Sequence, residues 1–237
     1  MTNTDKNIYL ERNHTYWERG YKGYPGENVE SFVFRPYGRI IEKYFQSIEN
    51  KSRKMLDFGC GAGVPALFYR SKGFDVYGVD ISEINIQRCK ERMPDIADHF
   101  LVVEPTPDKN YDFWGGNYGL VIAVQSLYYF SNAHLQVALE SLYNQMEVGG
   151  IIYATMIGKK CWCYEHSVVW EDGLRRFEIS NERGKIDHHY VNFVEDEEDM
   201  LRRFNMFEKL HIGFHSERYR EDEGTDFHYT FVGRKVS

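Results

Sequence analysis

Between residues 54 and 66 the chain reads Lys-Met-Leu-Asp57-Phe-Gly59-Cys-Gly61-Ala-Gly63-Val-Pro65-Ala, an acid followed by three glycines at alternate positions. Glycines allow a tight turn and a close approach of backbone to a ligand where any Cβ would clash. A helix that starts there offers unpaired N–H groups to the same ligand. Pro65 suits the first turn of such a helix, where no N–H partner is needed. Twenty-three residues beyond Asp57, Val79-Asp80-Ile81 ends the next apolar stretch. A carboxylate at the end of that strand can accept both hydrogen bonds of a ribose diol. The chemistry implied is the holding of a nucleoside cofactor.

Two cofactor readings compete, because Gly61-Ala62-Gly63-Val64-Pro65-Ala66 also satisfies the looser dinucleotide pattern G-x-G-x-x-A. Asp57 discriminates between them: a carboxylate at the mouth of the loop repels a pyrophosphate and attracts an ammonium group. Asp57-x-Gly59-x-Gly61-x-Gly63 with Asp80 ending the next strand resembles the class I S-adenosylmethionine-dependent methyltransferases, well over residues 54–156 and in outline to the C-terminus. The resemblance implies that Gly59, Gly61 and Gly63 pass close to the cofactor, that Asp57 lies on its methionine-ammonium side, that Asp80 binds the ribose and that Ile81 packs on the adenine. It places Glu104 near the adenine amino group. Pro105 lacks the N–H that the family often uses beside it, which leaves Asp112 as a rival. Gly119 stands where the family usually has an acid, and Trp17 and Arg35 of the leading segment are expected to close over the cofactor or to pack.

The elements that position these residues read as a series of strands and helices. Strands are expected over 54–58, 74–80, 100–103, 120–124 and 151–156, with helices over 65–72, from an N-cap at Ser82 to before Pro94, and over 132–146. Gly149-Gly150 reads as the stop of that last helix. Strands alternating with helices imply an α/β fold with a mostly parallel sheet covered on both faces. The resemblance makes that sheet seven-stranded. Residues 1–50 read as a helical cap with a helix over 31–48 in which Pro36 lies near a start. Alternation lapses over 158–194, which is too long for a simple connection and is therefore either functional or a small subdomain; the resemblance makes it an acceptor-side insertion. It resumes as a helix over 195–204, acidic at its start and basic at its end, and strands over 207–214 and 227–233. A single domain over 1–237 accounts for this pattern.

Methyl transfer from a sulfonium needs alignment and exclusion of water more than covalent help. A hydroxyl acceptor benefits from a base, for which Tyr128, His166, His188 and His189 are candidates. Gln125, leaving the strand over 120–124, is a candidate methionine-side contact, and Tyr128 or Tyr129 a candidate to face the acceptor. Lys159, Lys160, Arg175 and Arg176 could bind an anionic acceptor from the insertion. Cys161-x-Cys163 is half a metal site without further ligands at fitting spacing, so no metal is expected.

The expected acceptor is a small molecule, methylated on oxygen or nitrogen. The Asn-Pro-Pro-Tyr type motif of nucleic-acid amino-methyltransferases is replaced by Gln-Ser-Leu-Tyr, no cysteine follows a proline, and 29 basic against 36 acidic residues give a net charge of −7. That balance argues against nucleic acid and anionic bilayers as partners. No apolar run reaches the ~18 residues of a membrane span, and the N-terminus lacks a signal peptide's basic start, so a cytoplasmic protein with reduced cysteines is expected. The oligomeric state is left open. Two other functions compete: an NAD(P)-dependent oxidoreductase and a protein that binds S-adenosylmethionine without transferring its methyl.

Overall fold

The computed structural model describes residues 8–18, 30–46, 52–180 and 186–237. Seven strands form one sheet in the order β3-β2-β1-β4-β5-β10-β9. They are β1 (Lys54–Phe58), β2 (Asp75–Asp80), β3 (Phe100–Val102), β4 (Tyr118–Ala123), β5 (Met146–Ile157), β9 (Glu208–Glu217) and β10 (Asp226–Arg234). β1 to β5 run parallel, and β10 is antiparallel to both β5 and β9. The architecture is the α/β fold expected, with seven strands and helices on both faces.

The central strands are apolar at nearly every position because both faces of the sheet are covered. Side chains alternate between faces: Met55, Leu120, Ile122, Ile151 and Tyr153 join one core, while Leu56, Val121, Ala123, Ile152 and Ala154 join the other. The first core packs under α3 (Val64–Ser71) and α4 (Glu83–Arg92) through Ala66, Tyr69, Ile86 and Cys89. The second packs under α5 (Asn132–Gln145) and α7 (Glu197–Arg203) through Leu135, Leu139, Met200 and Phe204. Leu56 is fully buried, and truncation to Ala would cost about 2–5 kcal/mol.

Helix ends follow their side chains. Ser82 Oγ accepts from Asn85 N–H at 3.2 Å and starts α4. Asp196 Oδ1 accepts from Asp199 N–H at 2.9 Å and starts α7, whose first turn is acidic and last turn basic.

One expectation is corrected, and two segments take a more specific form. The leading helix expected over 31–48 is helical as far as Gln46, as two π-helical turns, Glu30–Phe34 and Tyr37–Ile41, and α2 (Glu42–Gln46), while residues 47–48 lie outside the described residues. Pro36, which lacks the N–H that would continue the ladder, caps the second turn. Gly149-Gly150 is not a helix stop: α5 ends at Gln145, Met146 is already extended, and Gly149 sits inside β5 at φ +81°. There Gly149 N–H donates to Lys235 O at 2.8 Å, so the glycines admit the C-terminal segment. Finally, residues 158–194 contain α6 (Trp162–Glu165) and a separate antiparallel sheet of β6 (Val168–Val169), β7 (Leu174–Ser180) and β8 (Ile186–Asn192). α1 (Ile8–Glu18) packs on that sheet, with Asn13 Nδ2 donating to Tyr190 O at 3.1 Å.

Candidate active site

The strand order reverses between β1 and β4. Helices leave in opposite directions there, which opens a crevice at the carboxyl ends of the strands. A cavity of about 1050 Å³ lies at this edge and runs from the glycine loop to the insertion sheet, with Leu10 and Val33 of the leading segment in its wall.

The three glycines have three separate reasons. At Gly59 a Cβ would stand 2.4 Å from Ser126 Cβ, so this glycine lets the loop after β4 close on β1. Ser126 Oγ donates to Phe58 O at 2.7 Å in the same contact. At Gly61, with φ +51°, nothing lies within 4 Å of a Cβ, and the residue lines the cavity. At Gly63 a Cβ would meet Cys89 Sγ at 2.9 Å, so this glycine serves the packing of α3 on α4 and, against expectation, does not line the cavity.

The two acids stand in opposite states. Asp80 Oδ2 accepts from Gly61 N–H and Oδ1 from Ser82 N–H, both at 2.9 Å, so this carboxylate holds the loop. Asp57 is 1% exposed, and its Oδ2 has no hydrogen-bond partner. Burial, reinforced by the charge of Asp80, pushes its carboxyl up to about 8. An orphaned carboxyl oxygen beside a glycine that leaves its Cβ volume open fits a ligand with a cationic end.

Ile81, Glu104 and Gln125 also line the cavity. Asp112 does not, and its Oδ1 accepts from Gly115 N–H at 2.7 Å, so of the two rivals Glu104 is the one in the cavity wall. Gln125 is held at φ +54°, a strained conformation for a non-glycine residue, by its N–H bond to Thr155 Oγ1 at 2.7 Å. The missing acid at Gly119 has a steric cause: a Cβ would lie 1.9 Å from Ser52 O.

Several expected contacts lie elsewhere. His166 is exposed, its Nδ1 2.8 Å from Trp162 O, and it does not line the cavity because the turn after α6 carries it outward. Arg35 is exposed and also outside the cavity. Trp17 falls in α1, but its side chain lies outside the described residues. Lys159 pairs with Glu195 at 2.7 Å, Lys160 lies over the Phe227 ring, Arg175 donates to Ser167 Oγ at 2.6 Å, and Arg176 lies over Trp170. None of these four cations lines the cavity. His188 is turned to Glu178 at 3.3 Å.

The far end of the cavity is aromatic, with Tyr128, Phe130, Trp162 and Phe177 in its wall. Burial, together with Tyr129, pushes the Tyr128 hydroxyl far up, so Tyr128 keeps its proton at neutral pH and is suited to donate a hydrogen bond rather than to take a proton. His189, 4% exposed and lining the cavity, is pushed by burial down to about 4. His228, 3% exposed, lines the same end. No motif in the sequence marks it as a site residue. β10 is antiparallel, so its first residues reach the ligand edge, where His228 pairs with Ile157 at the end of β5. Cys161 and Cys163 face each other across 2.9 Å in the same wall. Among the described residues, no group of three or more His, Cys, Asp or Glu gathers to hold a metal ion, and no helix is long and apolar enough to cross a membrane.

A family profile described as "Methyltransferase domain" matches residues 29–218, four-fifths of the chain. No curated protein matches the sequence. Among solved structures, an S-adenosylmethionine-dependent methyltransferase from Methanosarcina mazei is similar at 18% identity and TM-score 0.65, over 84% of this chain and 97% of that one. The N-methyltransferase NodS from Bradyrhizobium japonicum, in complex with S-adenosylhomocysteine, is similar at 11% identity and TM-score 0.61, over 95% and 100%. The 1,6-didemethyltoxoflavin-N1-methyltransferase of Burkholderia thailandensis is similar at 12% identity and TM-score 0.60, over 100% and 92%. At these identities the solved structures speak for the fold, while the family profile speaks for the activity. The chain belongs to the methyltransferase-domain family and is a class I S-adenosylmethionine-dependent methyltransferase.

Proposed function

We propose that the protein methylates a small, uncharged molecule, holding S-adenosylmethionine at the glycine loop and the acceptor at the aromatic end of the same cavity. The observation that carries this is the continuity of one cavity from Asp57 and Gly61 to Tyr128 and Phe177. Ligand pockets are about 300–1,000 Å³, so a cavity of about 1050 Å³ has room for cofactor and acceptor together. An anionic acceptor loses its support, since Lys159, Lys160, Arg175 and Arg176 lie outside the cavity. The arginines that do line it, Arg88 and Arg92, stand on α4, the helix that follows Asp80.

When bound, the cofactor supplies a methyl group activated by the sulfonium charge. The chain's own residues then do the positioning. Asp57 gives up its proton and pairs with the amino group. Asp80 accepts from the ribose hydroxyls, since a carboxylate's roughly four lone-pair sites can hold the loop and a ligand together. Ile81 covers the adenine, Glu104 takes its amino group, and Gln125 approaches the methionine side. The insertion and α1 close the acceptor end against water.

The test is incubation with methyl-labelled S-adenosylmethionine and pools of phenols, alcohols, amines, carboxylates, RNA and DNA. Label is expected in a neutral small-molecule pool. Label confined to nucleic acid would overturn the reading, and tight cofactor binding with no transfer to any pool would favour a binding protein instead.

A further inference from the structure

The acceptor end holds a group that the cofactor does not explain. His228 is 3% exposed in the cavity wall, and neither of its ring nitrogens completes a hydrogen bond. Its Nδ1 lies 3.3 Å from Asp226 Oδ1, and the Asp226 side chain is 39% exposed. Phe32 and Tyr128 fix the ring, with centroids 5.1 and 5.6 Å away. A buried imidazole with neither nitrogen hydrogen-bonded is costly unless a ligand completes it.

We propose that the acceptor is a neutral aromatic hydroxyl compound and that His228, backed by Asp226, receives the hydroxyl proton; this rests on the methyl-transfer reading above. The aromatic ring lies among Tyr128, Trp162 and Phe177. The hydroxyl oxygen forms the new bond to the sulfonium methyl carbon, the sulfur–methyl electron pair remains on sulfur, and the proton passes to His228 Nε2. The positive charge lost at sulfur reappears on the imidazolium, where the Asp226 carboxylate compensates it, and the half-exposed carboxylate offers the proton a route to solvent. The products are an aryl methyl ether, S-adenosylhomocysteine and one proton.

The acidity of the acceptor follows from the base. Groups facing His228 are Asp226 on its own strand, His215 on β9 and Tyr128 from the turn after β4. Burial pushes the His228 imidazole down, Asp226 opposes this, and His215 adds to it. Even weakened in this way, the base takes a proton more readily from a phenol, with a pKa of about 10, than from an alkyl alcohol, and the phenolate and Asp226 charges beside the imidazolium offset the cost of burying it.

The experiment uses the full chain saturated with S-adenosylhomocysteine, and 4-nitrophenol and 7-hydroxycoumarin as probes. Their amine twins, 4-nitroaniline and 7-aminocoumarin, are the controls. Absorbance should show that the bound phenols are more ionised than in buffer at the same pH, and nitrogen NMR of labelled histidine should show one imidazole becoming an imidazolium on phenol binding. His228→Gln should abolish the ionisation and weaken phenol binding by about tenfold or more, the size of one lost charged hydrogen bond. Affinity for S-adenosylhomocysteine and for the amines should stay the same. The proposal is overturned if the wild-type protein leaves the phenols unionised or unbound, if His228→Gln ionises them equally, or if the amines bind in preference. If the variant does not fold, NMR of the wild-type protein decides alone: no new imidazolium on phenol binding overturns the proposal. Failure of S-adenosylhomocysteine to bind brings down the methyl-transfer reading itself and is seen before any probe is added.

Discussion

Asp57 and Asp80 bear on the same glycine loop in opposite states: Asp80 Oδ2 is bonded to Gly61 N–H at 2.9 Å, while Asp57 Oδ2 is buried with no partner. The repulsion between them helps keep Asp57 neutral in the ligand-free protein. Asp80 is then the fixed strut of the loop, and Asp57 the group expected to change charge when a cation arrives.

The pH dependence follows from this difference. Asp57 is raised from the ordinary carboxyl range near 4 to about 8 on folding. Across that window the folded state holds more protons than the unfolded one, so this group's contribution to stability falls as pH rises. Asp57→Asn should therefore raise the melting temperature of the ligand-free protein more at pH 8 than at pH 5. A larger gain at pH 5 would contradict the assignment.

The same linkage shapes binding. S-adenosylhomocysteine should release protons on binding below pH 8, read as a dependence of the calorimetric enthalpy on the buffer's ionisation heat. Asp57→Asn should remove that release and weaken binding by about 1–3 kcal/mol. Proton release that persists in the variant would assign it to another group.

Asp80→Ala should weaken cofactor binding by about 1–3 kcal/mol and also loosen Gly61, since both of its oxygens hold backbone N–H groups of the loop. Unchanged affinity by calorimetry would mean that the ribose is held elsewhere.

The glycines separate folding from binding. Gly63→Ala forces a Cβ to within 2.9 Å of Cys89 Sγ at φ +78° and should cost about 1–3 kcal/mol of stability with little loss of cofactor affinity in the folded fraction. Gly61→Ala shares the left-handed backbone strain, at φ +51°, but meets no neighbour within 4 Å, so it should melt closer to the wild type than Gly63→Ala and lose affinity instead. The reverse pattern, with Gly63→Ala the binding-defective variant, would remove Gly61 from the cofactor wall.

Among the cysteines, Cys161 should react first with iodoacetamide, followed by peptide mass spectrometry. The neighbouring Cys163 thiol holds it down, and it lines the cavity. Cys60 is pushed up by Cys89 and burial, and Cys89 lies outside the cavity wall. Equal labelling of all four would contradict the asymmetry.

The cofactor half was legible in the sequence because its signals are local. An acid, spaced glycines and a second acid one strand later sit within 24 residues, and each apolar run marks a strand buried on both faces. The acceptor half was not. In β7 the buried positions are Leu174 and Phe177, three apart, so the strand breaks the two-residue period and exists through pairing with β8. His228 reaches the site only because β10 runs against β5. The basic residues of the insertion read as an anion site but are spent on Glu195, Ser167 and aromatic rings, partners fixed by tertiary contacts.

The most direct test of the division of the cavity is a crystal structure with S-adenosylhomocysteine. The expected result has the amino group on Asp57, the ribose diol on Asp80, and the wall formed by Tyr128, Phe177 and His228 left clear for a second molecule. A ligand whose adenosine occupies the Phe177 end, or whose amino group has no contact with Asp57, would contradict it.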